Sequence, residues 1–128
     1  MRAMWPVRSN GVMTDPNRSV APVVVLVRDL IFASRISATA KAENVPVVMV
    51  RDPAQLAGRA GSRLIVDLNQ DGAIEAAAAW ATDSGGDVIG FISHVDSATI
   101  SRARQAGIER VMPRSRFVEA LPELLRGA

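Results

Sequence analysis

The sequence predicts an α/β domain with three layers, in which a doubly wound sheet of five parallel strands lies between helices. From residue 23 onwards, short apolar runs alternate five times with longer segments of helical character. Such alternation is typical of a parallel sheet with helices on both faces. The run at residues 64–66 leads straight into Asp67, as expected of a central strand with a polar carboxyl end. With 128 residues, 48% of them hydrophobic, the chain has enough material for one core.

The five strands are defined by their content of β-branched and other apolar residues. The first, at residues 23–27, is an uninterrupted run of this kind, and the second is entered through Pro46, which suits a strand start. The predicted strands cover residues 23–27, 45–50, 64–68, 88–92 and 110–112.

Start and stop signals delimit the helices between the strands. Asp52 and Asp96 are placed as N-caps, Asp52 directly before a first-turn proline, and Gly107 supplies a helix stop. In the first helix, Phe32, Ile36 and Ala40 form a stripe expected to be buried. We expect Trp80, in an alanine-rich helix, to pack in the core. The predicted helices cover residues 30–44, 53–56, 73–82, 97–106 and 116–126.

Residues 1–22 precede this pattern and show no helical or strand periodicity. We predict an extended N-terminal tail over 1–22 and one domain over 23–128. Arg2, Trp5 and Arg8 belong to residue types that are enriched as anchors in protein interfaces. We therefore expect the tail to lie on a protein partner.

The composition excludes several classes of function. The chain has no cysteine, and no apolar run approaches the roughly 20 residues of a membrane span. A net charge of +2 with interspersed acids is not typical of nucleic-acid binding. We expect a cytoplasmic protein without bound nucleic acid and without direct membrane insertion.

Polar residues follow four of the predicted strands. Asp67 ends the third strand, Ser93 follows the fourth and Arg114 the fifth, while Arg28 and Asp29 follow the first. Because carboxyl ends of parallel strands meet at one edge, we expect these side chains to form a site. His94 is interpreted as a loop residue, since a lone histidine without cysteine rarely makes a metal site.

From residue 23 to its end the chain resembles the receiver domain of bacterial response regulators, a flavodoxin-like fold with strand order 2-1-3-4-5. The resemblance implies an acidic pair at residues 28 and 29, a phospho-accepting Asp67, Ser93, and a lysine where Arg114 stands. Receivers bind Mg²⁺ through the acids, and here Arg28 replaces the first one. The aromatic switch residue of the fifth strand is replaced by Val111.

These departures predict a pseudo-receiver in which Arg28, Asp29, Asp67, Ser93 and Arg114 form a degenerate phospho-acceptor pocket. A guanidinium about 4 Å from a carboxylate gains roughly 4 kcal/mol of Coulomb energy before desolvation is subtracted. We therefore predict that Arg28 pairs with Asp67. We expect no enzymatic activity, no metal and no cofactor.

A narrower resemblance is carried by residues 28–32 (Arg-Asp-Leu-Ile-Phe), 91–96 (Phe-Ile-Ser-His-Val-Asp) and 113–115 (Pro-Arg-Ser). These segments are similar to small stand-alone bacterial pseudo-receivers, a member of which is associated with NADH:quinone oxidoreductase, respiratory complex I. This resemblance implies an accessory subunit, held by its partner at the cytoplasmic face of the inner membrane.

Because no output domain follows the last helix, we expect the protein to act through its surface. The last two helices and the strand between them predict an arginine-rich face suited to an acidic protein partner. Its candidate partner-binding residues are Arg102, Arg104, Arg110, Arg116 and Phe117.

Two alternatives stay open. The first is a working response regulator of two-component signalling, which accepts phosphate on Asp67 from a histidine kinase. The second is a flavodoxin-like cofactor binder, which the sequence disfavours because residues 29–32 (Asp-Leu-Ile-Phe) stand where a loop rich in Ser, Thr and Gly would bind phosphate.

Overall fold

A computed structural model describes residues 21–94 and 96–127. The predicted tail, with Arg2, Trp5 and Arg8, therefore lies outside the described residues except for its last two positions. The strands are β1 (Val23–Leu26), β2 (Val47–Val50), β3 (Arg63–Asp67), β4 (Asp87–Ile92) and β5 (Arg110–Pro113). The helices are α1 (Leu30–Ala42), a 3₁₀ turn (Pro53–Leu56), α2 (Ala73–Ser84), α3 (Ser97–Gln105) and α4 (Arg114–Arg126).

All five strands are parallel and lie in the order β2-β1-β3-β4-β5, which confirms the predicted sheet. In the central register, Val24 lies between Val48 of β2 and Leu64 of β3. Because helices pack on both faces of the sheet, the side chains of β1 are buried on both faces. Successive residues of β1 accordingly alternate between two hydrophobic clusters, with Val24 in one and Val25 in the other.

Each cluster joins one face of the sheet to its helices. On one face, α1 and α4 pack through residues such as Ile36 and Leu121. On the other, the 3₁₀ turn, α2 and α3 contribute Leu56, Trp80 and Ala103. The domain is thus the predicted three-layer arrangement, with a core on each side of the sheet.

The three phenylalanines of the chain form one aromatic group beneath α1 and α4. The Phe91 and Phe117 rings stack at 4.6 Å between centroids, and Phe32 lies 5.2 Å from Phe91 and 5.9 Å from Phe117. Phe117 has 0% of its surface exposed. The prediction that Phe117 contacts a partner is therefore wrong: it begins the buried stripe of an amphipathic helix, which Leu121 and Leu124 continue.

Helix termini follow the predicted chemistry with one exception. Asp52 and Asp96 accept hydrogen bonds from backbone amides as N-caps, and Gln55 completes a capping box with Asp52. The predicted loop over residues 113–115 is wrong, because Pro113 occupies the N-cap position and α4 begins at Arg114. No helix in the described ranges is long and apolar enough to cross a bilayer.

Trp80 packs in the core as predicted, with 3% of its surface exposed. Its indole Nε1 donates to the Arg59 carbonyl at 2.8 Å, which satisfies the buried donor. Gly86 allows this packing, because a Cβ on it would lie 2.4 Å from the indole ring.

Removing the central aromatic side chain of α4 tests this account of the core. We expect Phe117→Ala to lower the free energy of unfolding by about 3–5 kcal/mol, the usual cost of deleting a buried phenylalanine ring. The neighbouring Arg116→Ala is the matched control, because Arg116 is exposed and surface substitutions change stability by about 0.5 kcal/mol or less. Urea unfolding of both variants measures the difference, and equal effects would contradict the placement of Phe117.

Candidate functional site

The carboxyl edge of the sheet brings together side chains from four connections. Asp29 begins α1, Asp67 ends β3, Ser93 follows β4, and Arg114 begins α4. Arg114 and Asp29 form an ion pair, and their charges both influence the pKa of Asp67. Asp29, Asp67 and Arg114 therefore lie within electrostatic reach of one another at this end of the sheet, while the Ser93 hydroxyl, at the neighbouring strand end, is directed to Asn69.

Arg28, the fifth, does not take the predicted place. Its side chain is exposed, and within the described residues it forms no ion pair with Asp67. The predicted Arg28–Asp67 contact is therefore wrong. The physical reason is its position: Arg28 lies two residues beyond the end of β1, where the chain leaves the buried part of the sheet and the side chain extends into solvent.

Arg114 is the cation of this site. Its Nη2 lies 3.6 Å from Asp29 Oδ2, and its guanidinium carbon lies 3.8 Å from the centre of the Phe32 ring. Arginine suits such a place, since its planar group can pair with a carboxylate and stack on an aromatic ring. With 39% of Arg114 and 49% of Asp29 exposed, the pair adds little stability. The consequence of the pair is that Oδ2 of Asp29 already has a cationic partner within the chain.

Asp29 uses both of its carboxylate oxygens. Oδ1 accepts from the Phe32 amide at 3.1 Å and the Ile31 amide at 2.9 Å, which makes Asp29 the N-cap of α1. Oδ2 faces Arg114. The bond from Phe32, aided by that from Ile31 and by the charge of Arg114, outweighs desolvation and lowers the pKa of Asp29. Asp29 is thus held in its ionised form by contacts within the chain.

The pKa of Asp67 is shifted in the opposite direction to that of Asp29. It is half-buried at the end of β3, and its Oδ1 accepts from the Asn69 amide at 3.0 Å. Burial raises the pKa of Asp67, and the negative charge of Asp29 raises it further, against the Asn69 bond and the charge of Arg114. Its environment therefore disfavours the ionised carboxylate.

Asn69 is a residue of this site that sequence reasoning missed. Its side-chain Oδ1 accepts from the Ser93 amide at 2.8 Å, the His94 amide at 2.9 Å and the Ser93 hydroxyl at 3.3 Å. Its Nδ2 donates to the His94 carbonyl at 3.2 Å. The available signal was its position two residues after Asp67, where a short polar side chain can reach the neighbouring strand end.

The arginines of the predicted partner-binding face lie at different places in the structure. Arg110 pairs with Asp87 at 3.1 Å at the amino ends of β5 and β4, the edge opposite to Arg114. Arg102 pairs with Glu75 at 3.4 Å, while Arg104 and Arg116 are exposed. Arg110 therefore lies at the edge of the sheet opposite to the site at the strand ends.

Other features lie apart from this edge. A cavity of about 470 Å³ lies between the 3₁₀ turn and α2, beside Trp80, and its lining is mostly alanine and glycine. Across residues 21–94 and 96–127, no three His, Cys, Asp or Glu side chains form a group that could hold a metal ion.

Comparison with known proteins relates the fold to receivers. No family model and no curated protein matches the sequence. A response regulator from Thermotoga maritima is 13% identical with a TM-score of 0.66, covering 84% of this chain and 95% of its own. A CheY-like receiver domain protein from Methanospirillum hungatei is 11% identical with a TM-score of 0.69, covering 84% and 94%.

A de novo designed Rossmann 2x3 protein is similar to the same degree, at 20% identity and a TM-score of 0.68, covering 84% of this chain and 90% of its own. Identities this low show the fold and nothing finer. The chain therefore has the flavodoxin-like α/β fold of response regulator receiver domains, with strand order 2-1-3-4-5.

The two carboxylates are expected to affect stability in opposite directions. Because the pKa of Asp67 is raised in the folded state, its ionisation costs stability above that pKa, and the cost vanishes below the ordinary carboxyl pKa. Asp67→Asn should therefore raise the free energy of unfolding at pH 7 relative to the unsubstituted protein, with the gain shrinking toward pH 3.

Asp29→Asn is the matched control. Asparagine keeps the N-cap, but the lowered pKa of Asp29 means that its charge stabilises the fold above the ordinary carboxyl pKa. This substitution should lower stability at pH 7, with the loss shrinking as the pH falls. Urea unfolding at both pH values tests the pair, and a loss of the same sign for both variants at pH 7 would contradict the electrostatic assignment.

Proposed function

We propose that this protein is a non-catalytic pseudo-receiver that acts as a protein-interaction module. The observation that carries the proposal is the full engagement of Asp29, whose two oxygens are taken by the N-cap of α1 and by Arg114. Position 28 is an exposed arginine, so one of the two acids through which receivers bind Mg²⁺ is missing, and a guanidinium contacts the other.

The electrostatics of Asp67 support the same proposal. Phosphoryl transfer to a carboxylate needs the ionised form as nucleophile and cations to neutralise charge on the transferring group. The nearby cation, Arg114, is already paired with Asp29. This pairing opposes phosphorylation of Asp67, because it engages the charge that would neutralise the transferring group.

The exposed side chains beside the pocket supply a surface for a partner. Leu30 is 61% exposed and Ile31 85% exposed, on the first turn of α1 next to the exposed Arg28. Aliphatic side chains with cationic neighbours suit contact with an apolar and acidic protein surface.

We propose a subunit of the bacterial NADH:quinone oxidoreductase as the partner, with the chain as an accessory subunit in the cytoplasm, held by its partner at the cytoplasmic face of the inner membrane. The support is the resemblance carried by residues 28–32, 91–96 and 113–115. In the fold, the first and last of these segments meet, since Arg114 contacts Asp29 and Phe32. Most of this shared sequence thus surrounds the strand-end site.

A stand-alone response regulator that is phosphorylated on Asp67 is the second candidate. It is favoured by the position of Asp67 at the carboxyl end of the central strand, with Ser93 at the neighbouring strand end. The two candidates differ in whether Asp67 accepts a phosphoryl group.

Incubation with acetyl phosphate and Mg²⁺ separates them. We expect the intact mass of the unsubstituted protein to stay unchanged, because position 28 carries no acid and Asp29 is paired with Arg114. A phosphorylatable receiver treated in parallel is the positive control. A phosphoryl increment that Asp67→Asn abolishes would replace the proposal by the second candidate.

Binding to purified NADH:quinone oxidoreductase from the same organism tests the partner. We expect the protein to co-migrate with the complex on size exclusion, and Leu30→Ser with Ile31→Ser to weaken binding at least about tenfold, as for loss of an interface anchor. Ala38→Ser, an apolar-to-serine change at an exposed position of the same helix, should leave binding unchanged. Absence of binding by the unsubstituted protein would refute this partner.

A further inference from the structure

We propose that the cavity beside Trp80 is a groove that binds an amphipathic helix of another protein, one with a lysine or arginine that faces Asp83. This cavity of about 470 Å³, the Trp80 groove, lies between the 3₁₀ turn and α2, on the face of the sheet opposite to α1. The inference is therefore independent of the state of Asp67 and of the exposed Leu30 and Ile31. The lining residues that matter here are Ala54, Ala57 and Ala60 on the side of the turn, and Ala76, Ala79 and Trp80 on α2.

The groove lies where the fold has room for one more helix. The connections after β1, β3 and β4 contain helices of 13, 12 and 9 residues. The connection between β2 and β3 contains only the four-residue 3₁₀ turn, of which Leu56 is buried. The space beside α2 that a longer helix would cover stays open, and Val48 of β2, on the same face, is only partly buried.

The walls of the groove favour a helix as its occupant. Alanine ends at Cβ, so a helix can pack with its axis near the lower end of the usual range of about 8–10 Å from α2. An extended segment would place its backbone N–H and C=O groups against methyl groups, whereas a helix satisfies these groups internally. The indole Nε1 of Trp80 already donates to the Arg59 carbonyl, so its ring contributes apolar surface.

The charge at the end of α2 defines the occupant further. Asp83 lines the groove, is exposed, and lies in the last turn of α2, which contains no basic residue. A helix C-terminus carries about half a negative charge, and Asp83 adds to it. Within residues 21–94 and 96–127, no ion pair neutralises Asp83. The other charged lining residue, Arg59, is held to the turn by the bond from its Nε to the Gln55 carbonyl. A cation on the docked helix would complement Asp83.

Titration with a stapled helical peptide tests the groove in the full chain. The probe has about 15 residues, and the staple is needed because free helices of this length are marginal in water. It carries Ala and Leu on one face and one Lys in its first turn, which lies near Asp83 when the peptide runs antiparallel to α2 and the helix dipoles oppose. Fluorescence anisotropy of the labelled peptide measures Kd. In a Trp5→Phe variant, Trp80 is the one remaining tryptophan, so its emission reports on the groove.

We expect saturable binding that changes the emission of Trp80. The same peptide with Glu in place of Lys should bind about fivefold more weakly, as for reversal of one exposed ion pair.

Two substitutions with matched controls locate the binding. Ala79→Gln puts a longer polar side chain into the groove and should weaken binding about tenfold or more. Thr82→Gln, at an exposed position of the same helix outside the groove, should leave Kd unchanged. Asp83→Asn should remove the preference for the Lys peptide, and Asp71→Asn, exposed and outside the groove, should retain it. Because Asp83→Asn removes an acid from the negative end of a helix, it should not lower the urea midpoint.

Absence of saturable binding, or equal Kd values for Ala79→Gln and the unsubstituted protein, would overturn the proposal. An unchanged Lys preference in Asp83→Asn would overturn the role of Asp83. Two other occupants would also refute a helix of another protein. Displacement of the probe by a synthetic peptide of residues 1–20, at a concentration about tenfold below that of unlabelled probe, would assign the groove to the chain's own N-terminal segment. A dimer in sedimentation that Ala79→Gln dissociates would assign it to a second copy.

Discussion

The contact of Arg114 with Asp29 and Phe32 is the interaction on which the carboxyl edge of the sheet depends. It joins the first residue of α4 to the first turn of α1 across a long sequence separation. The rings beneath it, Phe32, Phe91 and Phe117, fix the position of both helices. Electrostatics at the surface and packing in the core therefore meet at Arg114, whose charge lowers the pKa of Asp29 and Asp67 beside the larger effects of the Phe32 amide and of burial.

Local sequence signals were sufficient for the scaffold. The β-branched run of β1 can only be a buried strand of a parallel sheet, and the aspartates before α3 and the 3₁₀ turn mark where those helices start. The stripe of Phe32, Ile36 and Ala40 gave the buried face of α1. Each of these features is determined by residues that are close in sequence, so it can be predicted from the sequence alone.

The site depends on features that are not local. Arg28 was expected at Asp67 because both lie at the carboxyl ends of strands, but the direction of a side chain beyond a strand end depends on the path of the loop, and Arg28 extends into solvent. Arg114 reaches Asp29 because α4 starts directly after Pro113, two residues earlier than predicted. The role of Asn69 requires the register of β3 and β4, which places the two strand ends side by side. Similarity to both natural receivers and a designed protein likewise concerns the sheet and its helices. The contacts of the residues at the strand ends have to be determined one by one.

The double engagement of Arg114 has a consequence for redesign of this edge of the sheet. A mutation that gave position 28 a carboxylate would leave the guanidinium on Asp29, and one that removed the guanidinium would leave position 28 basic and Phe32 uncovered. Neither substitution alone frees a pair of adjacent acids, so a cation site at these strand ends would require both changes together.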